Sequence, residues 1–128
     1  MNLDWYNTLN RPYLTPPAGI FPPVWGLLYI LIFVSFILFL TTSSIKSKSL
    51  GIFLFSAQML LNIIWSPVFF YFHDIKLAFV IIVLMLIFLL FTIISFYQIS
   101  RISAYLLIPY FIWVCFATYL NYGFMNLN

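Results

Sequence analysis

Charge is nearly missing from this sequence: of 128 residues, five are Lys or Arg and two are Asp or Glu. A soluble domain carries about a quarter charged residues, so a water-facing surface is excluded. The seven charges (Asp4, Arg11, Lys46, Lys48, Asp74, Lys76 and Arg101) all stand between long apolar runs and none stands inside one. An ion- or proton-coupled exporter needs an ionisable group at mid-membrane, and this chain has none there. The net charge of +3 is loop charge, with no clustered basic face to bind nucleic acid. A single cysteine, Cys115, rules out an intramolecular disulfide and a cysteine metal cluster. The single histidine, His73, lies in a loop, reads as an ordinary polar turn residue, and cannot hold haem by two axial imidazoles. With no His, Asp or Glu in any apolar run, catalytic triads and carboxylate pairs are also excluded. Residues 1–23 are no signal peptide, because Asp4, Trp5, Arg11 and five prolines occupy the place of a cleavable apolar segment.

What is present is apolar and aromatic: 66% of the residues are hydrophobic and 23% are Phe, Trp or Tyr. This composition specifies an all-α polytopic membrane helix bundle forming one membrane domain. Residues 1–23 are expected to be an interfacial lead-in, kept from regular helix by Pro12, Pro16, Pro17, Pro22 and Pro23. Four spans follow, at about 24–41, 50–72, 77–98 and 104–124, each long enough to cross about 30 Å of hydrocarbon. Pro67 is expected to kink the last turn of the second span. The third, almost purely aliphatic and aromatic, is expected to face lipid most. The short connections predict that sequential helices are antiparallel neighbours. Lys46, Lys48 and Arg101 then share one side, assigned to the cytoplasm by a three-to-two basic excess over Arg11 and Lys76.

The second span breaks its own apolar character. Gln58, Asn62 and Trp65 fall at i, i+4 and i+7, one stripe of a helix, with Leu60, Leu61, Ile63 and Ile64 on the other faces. An unpaired carboxamide facing lipid costs several kcal/mol, so the stripe is expected to look inward. Trp25 and Tyr29 open the first span at i and i+4, and Tyr110, Trp113, Ala117 and Asn121 recur at helical spacing on the fourth. Together these residues suit a cavity with planar aromatic walls and a few hydrogen-bonding groups, fit for a large, flat, mostly apolar ligand. Read singly, each has a plainer role. Trp25 and Tyr29 suit interfacial anchors, Gln58 and Asn62 suit a packing pair between helices, Ala117 suits a helix contact, and Cys115 a small buried hydrophobe.

The ordered blocks WYNTLNRP, PPVWGLLY, AQMLLNIIWSPVFF, FYQIS and LLIPYFIWVCFATYLNY resemble the tryptophan-rich sensory protein and mitochondrial translocator protein (TspO, peripheral benzodiazepine receptor) family, from Trp5 to Tyr122. The resemblance implies a five-helix membrane bundle, commonly a homodimer, that binds porphyrins such as protoporphyrin IX and synthetic benzodiazepine-site ligands inside the bundle. No covalent cofactor is implied. Carried onto this chain, it implies that Trp25 and Trp113 are pocket walls, that Asn62 and Trp65 line the pocket, and that Ala117 and Leu120 shape its floor, with Gln58 a further member. The chain begins four residues ahead of Trp5, where the family has a hydrophobic helix, so four spans are expected, matching the family's second to fifth. Either the protein is a four-helix variant or its start lies further upstream. The sterol-recognition pattern is incomplete: Leu120 and Tyr122 are present, but no basic residue follows.

The first functional expectation is therefore a membrane receptor or transporter-like protein for tetrapyrroles, in the inner membrane of a bacterium. The second is light- or oxygen-dependent porphyrin breakdown, with Trp25 and Trp113 as redox-active indoles. A third is a structural role in which the helices pack on a partner or a second copy.

Overall fold

The computed structural model describes residues 3–16 and 18–128, which contain helices and turns and no strand. A short helix, α1 (Leu3–Asn7), precedes the prolines, and a 3-10 turn, Ala18–Ile20, leads into α2 (Phe21–Thr41). Pro22 and Pro23 occupy the first helical positions of α2, where a missing N–H costs no intrahelical bond. Then come α3 (Ser49–Phe70), α4 (Ile75–Tyr97), α5 (Arg101–Leu106) and α6 (Ile108–Leu127). The four expected spans are thus four apolar helical segments, each long enough to cross a membrane, the last formed by α5 and α6 in succession. Pro109 lacks the N–H that would bond back to Tyr105, so this last span breaks at Leu107 and restarts as α6. Pro67 stands inside α3, which ends three residues later with the Tyr71 and Phe72 amides both donating to the Pro67 carbonyl (2.9 and 3.0 Å). His73 adopts a left-handed φ of 56° to close the turn, and Asp74 caps α4 by accepting from the Leu77 amide at 3.0 Å.

Packing departs from the sequence expectation in two places. The third span is not the most lipid-exposed. As α4 it packs against α3, α5 and α6, and Ala78, Ile82, Met85, Leu89, Thr92 and Phe96 are essentially inaccessible. A helix–helix contact inside a membrane is as apolar as a helix–lipid contact, so purity of hydrophobic composition does not tell the two apart. The most exposed span is α2, whose Leu27, Ile30, Phe33 and Ile37 are each more than half accessible.

Nor are α2 and α3 close-packed neighbours, although only residues 42–48 separate them in sequence. The backbone of α2 lies against α5 instead. Ser35 Oγ donates to the Ser103 carbonyl (2.7 Å) and Ser103 Oγ donates to the Ser35 carbonyl (2.9 Å), a reciprocal clasp that small side chains allow. α2 reaches α3 through side chains: Phe36 stacks on Phe55 with centroids 4.2 Å apart, and Phe39 lies over Gly51.

The lead-in makes its contacts with the bundle itself. It folds back over the end of the bundle formed by the α3–α4 turn and the end of α6. Trp5 stacks on His73 at 4.2 Å and meets Phe69 edge-on at 5.6 Å. Tyr6 is 2% exposed, set among Phe21, Phe70 and Phe124. Pro12 presses on Gly123, where a Cβ would overlap the proline ring. The Tyr119 hydroxyl donates to the Tyr13 carbonyl at 2.6 Å, and Asn10 and Asn128 exchange hydrogen bonds.

Candidate functional site

Two polar constructions lie one above the other inside the bundle. The deeper one is a closed hydrogen-bond network joining α2, α3 and α6. The Tyr29 hydroxyl donates to Asn62 Oδ1 (2.7 Å), Asn62 Nδ2 donates to the Tyr110 oxygen (2.7 Å), and the Tyr110 hydroxyl donates to Gln58 Oε1 (2.8 Å). Gln58 Nε2 in turn donates to the Phe55 carbonyl (3.0 Å), and Met85 Sδ lies 3.8 Å from the Tyr110 oxygen. Each amide oxygen has found a phenol, which offsets the cost of burying both carboxamides.

Nearer the lead-in, an aromatic cavity is lined by Tyr6, Phe21, Trp25, Trp65, Phe69, Phe70, Trp113, Ala117, Leu120, Asn121 and Phe124. The rings meet mostly edge-to-face, the arrangement their quadrupoles favour. Trp25 stands perpendicular to Trp113 with centroids 6.4 Å apart, and Phe21 meets Trp113 at 6.0 Å. On the opposite wall Trp65 donates from Nε1 to Asn121 Oδ1 (2.9 Å), and Asn121 Nδ2 donates to the Ile75 carbonyl (3.1 Å), which ties α3, α6 and α4 together. The cavity holds about 40 Å³, against roughly 300–1,000 Å³ for pockets that enclose drug-sized ligands. A large planar guest therefore requires the walls to part, and the lead-in that carries Tyr6 is a wall held to α6 by exposed hydrogen bonds.

Among the described residues, two buried side-chain polar atoms have no hydrogen-bond partner, the Trp113 indole Nε1 and the Tyr6 hydroxyl, and both residues line this cavity. A buried donor without an acceptor costs about 1–3 kcal/mol, so native structures seldom keep one without a reason. Burial pushes the Tyr6 phenol above its ordinary value, against the opposing pull of the Arg11 guanidinium, which lies 5.1 Å over the ring. Tyr6 is therefore a neutral donor at physiological pH.

Of the seven residues singled out from sequence, Trp25, Trp65, Trp113, Ala117 and Leu120 line the cavity. Gln58 and Asn62 sit in the deeper network, bonded to tyrosines of α2 and α6, and do not touch the cavity. Asn121, which the sequence set on the stripe of Trp113 and Ala117, also lines it, and Phe69, Phe70 and Phe124 join beyond the residues singled out. Phe69 follows Trp65 at i+4, while Asn121 and Phe124 continue the spacing of Trp113, Ala117 and Leu120, so extending the two stripes finds most of them. Tyr6 and Phe21 had no such signal, since their places depend on the lead-in folding back.

Comparison with known proteins gives this geometry a family. The tryptophan-rich protein TspO of Chlorobaculum tepidum is 38% identical over 125 residues, covering 97% of this chain and 79% of its own length. The tryptophan-rich sensory protein of Cereibacter sphaeroides is 31% identical over 98% of this chain and 77% of its own. The human translocator protein is 34% identical over 94% of this chain and 72% of its own. Residues 1–127 match the TspO/MBR family as a whole. The chain is an integral, multi-pass membrane protein that belongs to the TspO/MBR family.

Proposed function

We propose that this protein is a receptor or transporter-like binder of porphyrins, with protoporphyrin IX as the representative ligand, held in the aromatic cavity. The observation that carries this reading is the pair of partnerless donors, Trp113 Nε1 and Tyr6 OH, in a cavity otherwise walled by rings. A porphyrin offers flat apolar faces to Trp25, Trp65 and Trp113 and carboxylate oxygens to the two donors. Arg11, beside Tyr6, supplies a positive charge at the cavity's lead-in end. Entry moves the lead-in aside, and the ordering energy is recovered when the donors find acceptors.

Titration of the purified protein with protoporphyrin IX, read by tryptophan fluorescence, tests this. Saturable quenching that is weakened in a Trp25→Phe, Trp113→Phe double variant is expected. No quenching, or equal quenching in the double variant, overturns it.

A second reading rests on the contact between Trp25 and Trp113, which places two oxidisable indoles side by side on the cavity wall. Light-dependent breakdown of the porphyrin by dioxygen would draw electrons through these indoles. Porphyrin absorbance that declines in light at the same rate with and without protein removes that reading. The family resemblance also supports a homodimer in a bacterial plasma membrane. Cross-linking in isolated membranes that yields a dimer supports that assembly, and recovery of monomer alone refutes it.

A further inference from the structure

We propose that the outer surface of α4 and α5, at the end of the bundle opposite the aromatic cavity, is a binding site for one anionic phospholipid. The break at Leu107 and the small side chain of Ala104 leave a groove of about 280 Å³. Ile93, Ile94 and Ile108 line it toward the middle of the helices and Tyr97, Gln98 and Tyr105 toward their ends, and the surface they present to the groove is almost wholly apolar. An apolar lining of this kind suits an acyl chain, whose headgroup then falls at the helix ends. Tyr97 and Tyr105 meet edge-on with centroids 6.1 Å apart. Arg101 stands at the polar end, its guanidinium 5.4 Å over the Tyr97 ring, so the cation is held at the mouth of the groove.

Charge decides which headgroup fits. The segments 42–48 and 98–101 carry Lys46, Lys48 and Arg101 and no acidic residue. The two acidic residues of the sequence, Asp4 and Asp74, belong to α1 and to the α3–α4 turn. Lys48 is already engaged, donating to the Leu40 and Thr42 carbonyls at 2.8 and 2.7 Å, where it caps α2. No acidic residue stands in the segments beside Arg101, whose guanidinium has a fork geometry suited to a phosphodiester. A zwitterionic headgroup would bring its choline cation against this basic surface. A phosphatidylglycerol-type headgroup brings none.

The test uses the full chain in detergent, titrated with phosphatidylglycerol or phosphatidylcholine of identical acyl chains, with bound lipid counted by native mass spectrometry. One phosphatidylglycerol is retained in preference to phosphatidylcholine by about fivefold, the factor expected for one basic residue at a membrane surface. Arg101→Gln, an exposed substitution, brings the two lipids to parity, and Lys46→Gln leaves the preference in place. Ile94→Trp, which fills the apolar half of the groove, lowers retention with every charge kept. Parity in the unaltered protein overturns the proposal, as does an equal loss in Lys46→Gln and Arg101→Gln. Displacement of the lipid by millimolar inorganic phosphate also overturns it and assigns the site to a soluble anion.

Discussion

Replacing Trp113 by phenylalanine separates the cavity's binding role from its structural one, because the indole N–H does nothing for the fold. It is buried without a partner, a state that costs about 1–3 kcal/mol, and the substitution removes that penalty. The same substitution shrinks a ring that packs on Phe21, Trp25 and Phe116, a loss of about 1–2 kcal/mol for a partial truncation. The two effects oppose each other, so the Trp113→Phe variant is expected to lose no more than about 1 kcal/mol of stability and to gain no more than about 2 kcal/mol. Ligand affinity behaves differently. A hydrogen bond to a charged acceptor contributes about 1.5–3 kcal/mol, so losing the donor weakens binding of a dicarboxylic porphyrin about 10- to 150-fold. Porphyrin titration followed by the porphyrin's own absorbance, alongside chemical denaturation in the same detergent, measures both quantities. A variant that loses stability by 3 kcal/mol or more, or that binds the porphyrin unchanged, refutes the assignment of this N–H to a ligand.

Asn62→Leu is expected to give the reverse pattern, since it breaks two buried bonds worth roughly 0.6–1.7 kcal/mol each in a membrane protein. Denaturation should show a loss of about 1–3 kcal/mol, with porphyrin affinity changed less than in Trp113→Phe. Gly123→Leu places a side chain where Pro12 lies, so the lead-in should detach and limited proteolysis within residues 8–16 should accelerate several-fold. The Tyr6 phenol ionises above its ordinary value of 10.0 because burial disfavours the anion. Docking of the lead-in is therefore intact below pH 10 and weakens as pH rises beyond it. Trp5 fluorescence should report an alkaline transition, and Tyr6→Phe should abolish it.

The span count and the inward stripe were legible because both follow from local rules. Length and apolarity define a span, and the cost of an unpaired amide in lipid turns Gln58 and Asn62 inward whatever the neighbours are. Which polar group satisfies which was not legible. Gln58, Asn62 and Trp65 share one stripe by spacing, yet the first two bond the Tyr110 phenol while Trp65 bonds Asn121, about three turns further along α6. The division between network and cavity follows from how α3 and α6 slide past one another, and a single helix's periodicity carries no information about that register.

The misplacement of α4 has a deeper cause. In water, burial leaves a compositional mark, since apolar residues are driven from solvent and the exposed face stays polar. In lipid that driving force disappears between helices, and both faces of α4 are written in Leu, Ile, Val and Phe. What distinguishes its inner face is size and shape: Ala78 and Thr92 on the buried side admit close neighbours, while Val80, Leu84, Ile87 and Phe91 project outward. The clasp of Ser35 with Ser103 obeys the same rule, for the small hydroxyl side chains permit α2 and α5 to approach within bonding distance of each other's carbonyls. Ala78, Thr92, Ser35 and Ser103 thus stand on contact faces that hydrophobicity leaves unmarked, while Gly26 of α2 is small and exposed, so neither size nor apolarity alone decides which face is buried.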